Sequence, residues 1–229
     1  MKEETKNKIA AEAEEFNFGE KFPAEIEGFK LKKIFDDEND KFNYFSYENA
    51  EKHCGLTAYY HEETFEYKVR IKIGLTEFCL TDFFTDKFSD FDKKIYCGLE
   101  SVIKNLSDFH NKEVGSLVRE KKIIEWKYGA DLPRNLEGFE LFISPAAPVE
   151  FTNGSYIIIN YCDFEINSDF IIYYNIYNDE FTGESRINGV PNVSYDFDSQ
   201  ELVELENKLK EKLSDELKKI RGFNSFQKR

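Results

Sequence analysis

Histidine is almost missing from this 229-residue chain, which has only His53, His61 and His110 and none beyond Asn111. Imidazole is the usual acid–base and metal-binding side chain near neutral pH, so a site common to both halves of the chain has to work without it. The GxSxG turn, the Walker loop and the GxGxxG fingerprint are also absent. With them go the sequence signals for an activated serine, a phosphate cradle and a dinucleotide fold. No run of eighteen apolar residues occurs, and the opening MKEETKNKIAAEAEE has no apolar core of the kind a secretory signal carries. The expected compartment is the cytoplasm.

Cysteine is sparse as well. The four, at positions 54, 79, 97 and 162, have no CxxC spacing and lie within apolar patterns, so they are expected as buried, reduced thiols. The best zinc set is His53-Cys54 with His61, yet His61-Glu62-Glu63 is not HExxH and no second cysteine pair completes four ligands. No metal and no cofactor are expected. Acidic clusters such as Asp36-Asp37-Glu38 and Asp82, Asp86, Asp90 and Asp92 read as solvated turns and helix caps, so no catalytic residue is assigned.

What the chain has is acid, aromatics and repetition. Its 45 acidic residues outweigh 31 basic ones, for a net charge of −14, which argues against DNA, RNA or an anionic membrane as partner and favours a basic protein. With 41% hydrophobic residues, 23 Phe, 13 Tyr and 5 Pro, the chain should be ordered and globular.

Residues 15–31, EFNFGEKFPAEIEGFKL, and 125–141, EWKYGADLPRNLEGFEL, align without a gap at an offset of 110 with seven identical pairs. Chance gives about one. Asp90-Phe91-Asp92 and Asp196-Phe197-Asp198 supply a second landmark at an offset of 106, with Leu99-Glu100 falling on Leu205-Glu206. These matches predict a tandem duplication into domains 1–110 and 111–229. In the shared motif, Gly19/Gly129 would turn the chain, Pro23/Pro133 would stiffen it and Gly28/Gly138 would release it into a strand.

Alternation in FEYKVRIKI, 65–73, marks a half-buried antiparallel strand. Further strands are expected at 31–35, 42–47, 56–62 and 76–84, with an acidic turn at 36–40. The second half offers 139–143, 155–166, 170–177 and a weaker strand near 185–187, with a turn at 167–169. Apolar residues three and four apart place helices at Ile95 to Leu106 and Leu202 to Ile220, the latter with a capping-box start at Asp198 and a stop at Gly222 before a basic tail. Shorter helices should lead each half, at 3–15 and 112–125. The fold class is α+β, a tandem duplication of a helix, antiparallel sheet and helix unit.

Aligned at an offset of 105, the polar face Glu66, Lys68, Arg70 and Lys72 falls on Ile171, Tyr173, Asn175 and Tyr177. An apolar face of that size calls for a cover, so these four residues are the candidate binding surface, covered by the other repeat, a second copy in a homodimer, or a partner. The expected function is a non-enzymatic protein-binding protein, in its most specific form an antitoxin or immunity-type inhibitor of a basic partner. A small-molecule or lipid-binding module with an aromatic pocket at Tyr173 and Tyr177, and an enzyme with an unrecognised carboxylate or tyrosine site, are the alternatives.

Overall fold

A computed structural model describes residues 2–16, 21–38, 40–111, 114–151 and 154–227. It divides into two compact units, Met1–Asp108 and Phe109–Arg229. Both mix α and β structure, and antiparallel sheet is the larger part of the regular structure.

The first unit runs α1 (Glu3–Phe16), β1 (Glu25–Ile26), β2 (Phe29–Glu38), β3 (Lys41–Asn49), β4 (Cys54–His61), β5 (Glu66–Ile73), β6 (Thr76–Thr85) and α2 (Phe88–Ser107). The six strands pair in sequence order. Alternation along β5 turns Tyr67, Val69, Ile71 and Ile73 to one buried face, while α2 buries Phe91, Ile95, Leu99, Ile103 and Leu106 at three- and four-residue spacing. The two meet where the Tyr67 ring stacks on Phe91, with centroids 5.4 Å apart. Each such side chain contributes about 1.5–3 kcal/mol by leaving water, so Leu99→Ala alone should cost about 2–5 kcal/mol. The charged face of β5 is only partly open to solvent, with Lys72 exposed, Glu66 and Arg70 half-buried and Lys68 buried. Lys68 is only 7% exposed, with its ammonium held by Glu66 at 2.9 Å and Thr64 at 2.8 Å over the Phe84 ring.

The second unit opens with a 3-10 turn (Phe109–Asn111), α3 (Ser116–Glu120) and α4 (Lys127–Ala130). It continues through β7 (Asn135–Leu136), β8 (Phe139–Ile143), β9 (Val149–Phe151), β10 (Ser155–Asp163), β11 (Ser168–Asn175), β12 (Glu180–Ile187), β13 (Val190–Ser199) and α5 (Leu202–Gln227). The sheet order is β13-β12-β11-β10-β8-β7, with β9 also paired to β10. Leu205, Leu209, Leu213, Leu217 and Ile220 of α5 are buried in one cluster with Phe170, Ile172, Tyr174, Phe181 and Phe197 of the sheet.

Local geometry recurs between the units with a change of spacing part-way. At an offset of 110, Glu27 and Gly28 (φ 49 and 79) match Glu137 and Gly138 (φ 53 and 88). The Leu31 amide bonds the Ala24 carbonyl at 2.8 Å, as Leu141 does Arg134 at 2.7 Å. From β3 and β10 onward the offset is 114. The strands β4, β5 and β6 have the lengths and spacing of β11, β12 and β13, and the left-handed residues His53 and Phe65 recur as Asn167 and Asp179. Four residues of β6 bulge against one of β5, between the pairs Val69↔Leu80 and Tyr67↔Thr85. The same bulge lies in β13, between Gly183↔Ser194 and Phe181↔Ser199. The five buried α2 positions, shifted by 114, are the five of α5. Two tyrosines bridge the two spacings, Tyr47 donating to the Pro23 carbonyl at 2.6 Å and Tyr161 to that of Pro133 at 2.8 Å.

This register replaces both later sequence alignments. Asp90-Phe91-Asp92 lies in α2 whereas Asp196-Phe197-Asp198 lies in β13, so the 106 match joins a helix to a strand. At 114, β11 corresponds to β4 and not to β5, and the residue in the place of Tyr173 is Tyr59 rather than Lys68. The strand β5 corresponds to β12, whose Thr182, Glu184 and Arg186 are as polar as Lys68, Arg70 and Lys72.

Several element ends also differ. The leading helix expected at 112–125 is the single turn α3, because Lys122 is left-handed at φ 58 and ends it; residues 112 and 113 lie outside those described. Gly129 sits inside α4, where a Cβ would come within 2.7 Å of the Trp126 ring and 2.9 Å of Pro145. Close packing, not a turn, calls for that glycine; Gly19 lies outside the described residues. Asp198 belongs to β13, and α5 starts at Leu202 and continues through Gly222. A glycine with a helical neighbourhood loses only about 1 kcal/mol against alanine, too little to stop a 26-residue helix. Of the cysteines, Cys54 and Cys162 are buried, Cys79 is half-buried and Cys97 is exposed on α2.

Candidate functional site

The four residues read as one surface do not form one. Ile171 has no exposed surface and Tyr173 is half-buried, its ring centroid 5.9 Å from that of Phe151. Asn175 closes the following turn by accepting hydrogen bonds from the amides of Tyr177 and Asn178, at 2.9 and 3.3 Å. Tyr177, beyond the end of β11, is 78% exposed. A single strand therefore carries these side chains from the interior to the surface.

Besides Phe151, charged groups stand around Tyr173, namely Glu184, Arg186 and Asp169. The guanidinium of Arg186 grips the fully buried Asp169, with Nε donating to Oδ1 at 2.8 Å and Nη2 donating to Oδ2. Asn160 Nδ2 also donates to Asp169, at 3.0 Å. Burial works against the Arg186 charge, but the hydrogen bond and charge of Asp169 outweigh it and its pKa rises. Burial raises Glu184 above the usual carboxylate range despite Arg186, and raises the Tyr173 phenol beside it. The hydrogen bonds from Arg186 and Asn160 occupy both oxygens of Asp169, which leaves that carboxylate little capacity for a ligand.

The open surface of this unit is the edge strand. Among the described residues β13 pairs on one side only, with β12. Val190, Val193 and Tyr195 are 66%, 62% and 80% exposed. The six residues 190–195, VPNVSY, hold no charge in a chain of which 33% is charged. Sheet edges are usually blunted by charge, brevity, proline or bulges. The edges β1 and β7 are two residues long, and β6, in the same place as β13, is largely half-buried and carries Glu77 and Asp82. On β13 the guards are Pro191 and the bulge at 195–198 with Asp196 and Asp198 in it, which leaves the stretch 190–195 uncharged.

That bulge is anchored by glycine chemistry. A Cβ on Gly183 would lie 2.9 Å from Cβ of Phe197, so only glycine lets Phe197 drop across β12 and pack edge-on against Phe170, 4.8 Å between centroids. The anchored end holds the strand in place while residues 190–195 project at the rim.

In the first unit, His61 Nε2 lies 2.8 Å from Asp40 Oδ2, its Nδ1 lies 3.0 Å from Thr64 Oγ1, and Glu63 brings a third potential ligand within 4.8 Å of the others. This differs from the His53, Cys54 and His61 set weighed from sequence. His53 and Cys54 lie at the opposite end of the eight-residue β4 from His61, on the order of 25 Å away, and burial raises the Cys54 thiol to about 11. Burial pushes the Asp40 carboxyl up, but a backbone hydrogen bond and then His61 outweigh it and hold it below the ordinary carboxylate value. A histidine–aspartate pair on a turn needs no metal to explain it.

No protein-family model, curated protein or solved structure matches the chain. The functional reading rests on these surfaces alone.

Proposed function

We propose that the chain is a non-enzymatic protein-binding protein made of two tandem copies of one α+β repeat, and that it takes an extended segment of its partner onto the edge of β13. The observation that carries this reading is the uncharged, exposed stretch 190–195 on an edge that, among the described residues, has no strand beside it. Strand addition satisfies main-chain donors and acceptors that an edge leaves to water, and Val193 and Tyr195 offer side-chain contacts for selectivity.

Duplication accounts for the recurrence of strand lengths, left-handed turns and the four-against-one bulge at a common spacing of 114. Under it the two edges differ at Glu77, whose counterpart is Pro191, whereas Asp82 has its counterpart in Asp196. The net charge of −14 favours a basic partner, drawn in by long-range attraction and held at a neutral seam. An inhibitor that masks a basic protein in the cytoplasm is the most specific form of the proposal.

The test replaces Val193 or Tyr195 by Lys and compares proteins that co-purify with each chain from its native host. Both side chains are exposed, so thermal unfolding should not change. The proposal expects a partner bound by the parent and lost by both variants, with binding that weakens as salt rises. If a bound partner is retained by both variants, the edge is not its site. If the parent sediments as a dimer and the variants as monomers, the occupant of the edge is a second copy of the chain.

A further inference from the structure

Three side chains able to ligate a metal converge at one end of the first sheet. Asp40 stands in the turn before β3, His61 closes β4, and Glu63 lies in the turn that follows it. One donor atom from each lies within 4.8 Å of the other two. We propose that they bind a divalent first-row transition ion of the zinc type through His61 Nε2 and one carboxylate oxygen each from Asp40 and Glu63, with water completing its shell.

The backbone holds these donors in place without help from an ion. Lys41 and His61 are paired across β3 and β4, and the Glu62 amide donates to the Asp40 carbonyl at 2.8 Å, so the two turns are tied at their roots. The Phe65 amide closes the second turn on the Glu62 carbonyl at 3.3 Å. Ligands on tied backbone give up little freedom when the site fills. Asp40 and His61 are half-buried and Glu63 is exposed, which leaves an entry path from solvent.

The hydrogen bonds around the imidazole set its orientation. Lys68 Nζ donates to Thr64 Oγ1 at 2.8 Å, and the Thr64 hydroxyl donates in turn to Glu66, a carboxylate held below its ordinary value by Lys68 and, against burial, by Thr64. Thr64 then has one lone pair and no proton left for His61, so Nδ1, at 3.0 Å, is the donor. In the neutral ring this network leaves Nε2 unprotonated, with its lone pair facing Asp40 Oδ2 at 2.8 Å. An outer partner that fixes Nδ1–H and presents Nε2 is how ligating histidines are held.

Two acceptors that close repel unless a cation joins them. A second ring proton is enough for His61 and Asp40 alone, and in that state the pair needs no metal. Glu63 changes the balance, because it brings a second carboxylate to the same nitrogen and has no ion pair of its own among the described residues. The charge of Lys68 is already taken by Glu66 at 2.9 Å. A divalent ion answers both carboxylates where a proton answers one. The spacing also suits it: two donors at right angles, each about 2.1 Å from an ion, stand about 3.0 Å apart. One imidazole with two carboxylates favours zinc and its neighbours over Ca²⁺ or Mg²⁺, which prefer oxygen alone.

The test is calorimetric titration of Zn²⁺ into the tag-free, metal-stripped full chain, slightly above neutral pH, at physiological salt and in excess Mg²⁺. One-to-one binding is expected, and it should raise the thermal unfolding temperature. His61→Gln and Glu63→Gln should each weaken Zn²⁺ binding by tenfold or more, whereas His53→Gln and Cys97→Ser, which lie elsewhere, should bind as the parent does. Should His61→Gln disturb β4, Glu63→Gln on its exposed turn carries the result by itself, with unchanged unfolding of the metal-free chain as its check. A chain that takes up no Zn²⁺, or one that binds it equally in Glu63→Gln and the parent, overturns the proposal.

Discussion

Arg186 closes two parallel hydrogen bonds on Asp169, a carboxylate with no exposed surface, from the neighbouring strand of the second sheet. The pair is worth little as a net stabiliser, because both charges give up water to form it. Removing one partner is another matter. Asp169→Ala leaves a largely buried guanidinium uncompensated and should destabilise the protein by about 3–5 kcal/mol in urea unfolding, whereas Asp169→Leu with Arg186→Met should recover most of that loss. Equal losses in the single and double variants would contradict the coupling.

Gly28 and Gly138 should be intolerant of side chains for the same backbone reason. Both have positive φ, at 79 and 88, so Val at either position should cost on the order of 1 kcal/mol or more. Gly138→Val should cost more than Gly28→Val. Its Cβ would fall on the guanidinium of Arg221, which pairs with the buried Asp163, whereas the Cβ at Gly28 would meet only the Asn49 amide at 3.1 Å. Thermal unfolding of the two variants checks the order.

Much of the fold could be read from residue patterns, and the reasons for the failures are physical. The β5 alternation and the two helical stripes are strong periodic signals, and the structure has a strand and two helices there. The shared motif placed Gly28 and Gly138 in matching conformations, as they are. The 105 alignment failed because any two strands that alternate with a period of two can be laid apolar on apolar, here β5 on β11, and the 106 match is three residues that lie in a helix in one unit and in a strand in the other. What pins the register at 114 is turn geometry, His53 with Asn167 and Phe65 with Asp179, and no residue-type pattern announces those positions. The Pro, Asn, Asp and Ser content of β13 hides it as a strand, although Asn188-Gly189 ahead of it, both at positive φ, is a strong short hairpin signal. With β13 hidden, residue pattern alone points to β11 for the open surface, where Ile171 is buried.

Asp179 gives the second unit a specific acid sensitivity. Hydrogen bonds from Lys121 and then Tyr174, each at 2.8 Å, lower its pKa below the ordinary 3.8. A carboxylate with a depressed folded pKa adds stability above its unfolded value and loses it as pH falls through the folded one. Stability should therefore decline below pH 3.8 in the parent, and Asp179→Asn should decline less over the same window. The carboxylate is mostly exposed, so the difference is small and best read as a shift in the acid-unfolding midpoint.

Val193 and Tyr195 decide the functional account. Amide hydrogen exchange on the chain with and without its co-purified partner reads the β13 edge one residue at a time. With the partner bound, amides of residues 192–195 that face away from β12 should slow markedly, while those of β6, the matching edge in the first unit, should exchange as before. Unchanged exchange along 190–195 in a complex that is otherwise intact would contradict strand addition at this edge.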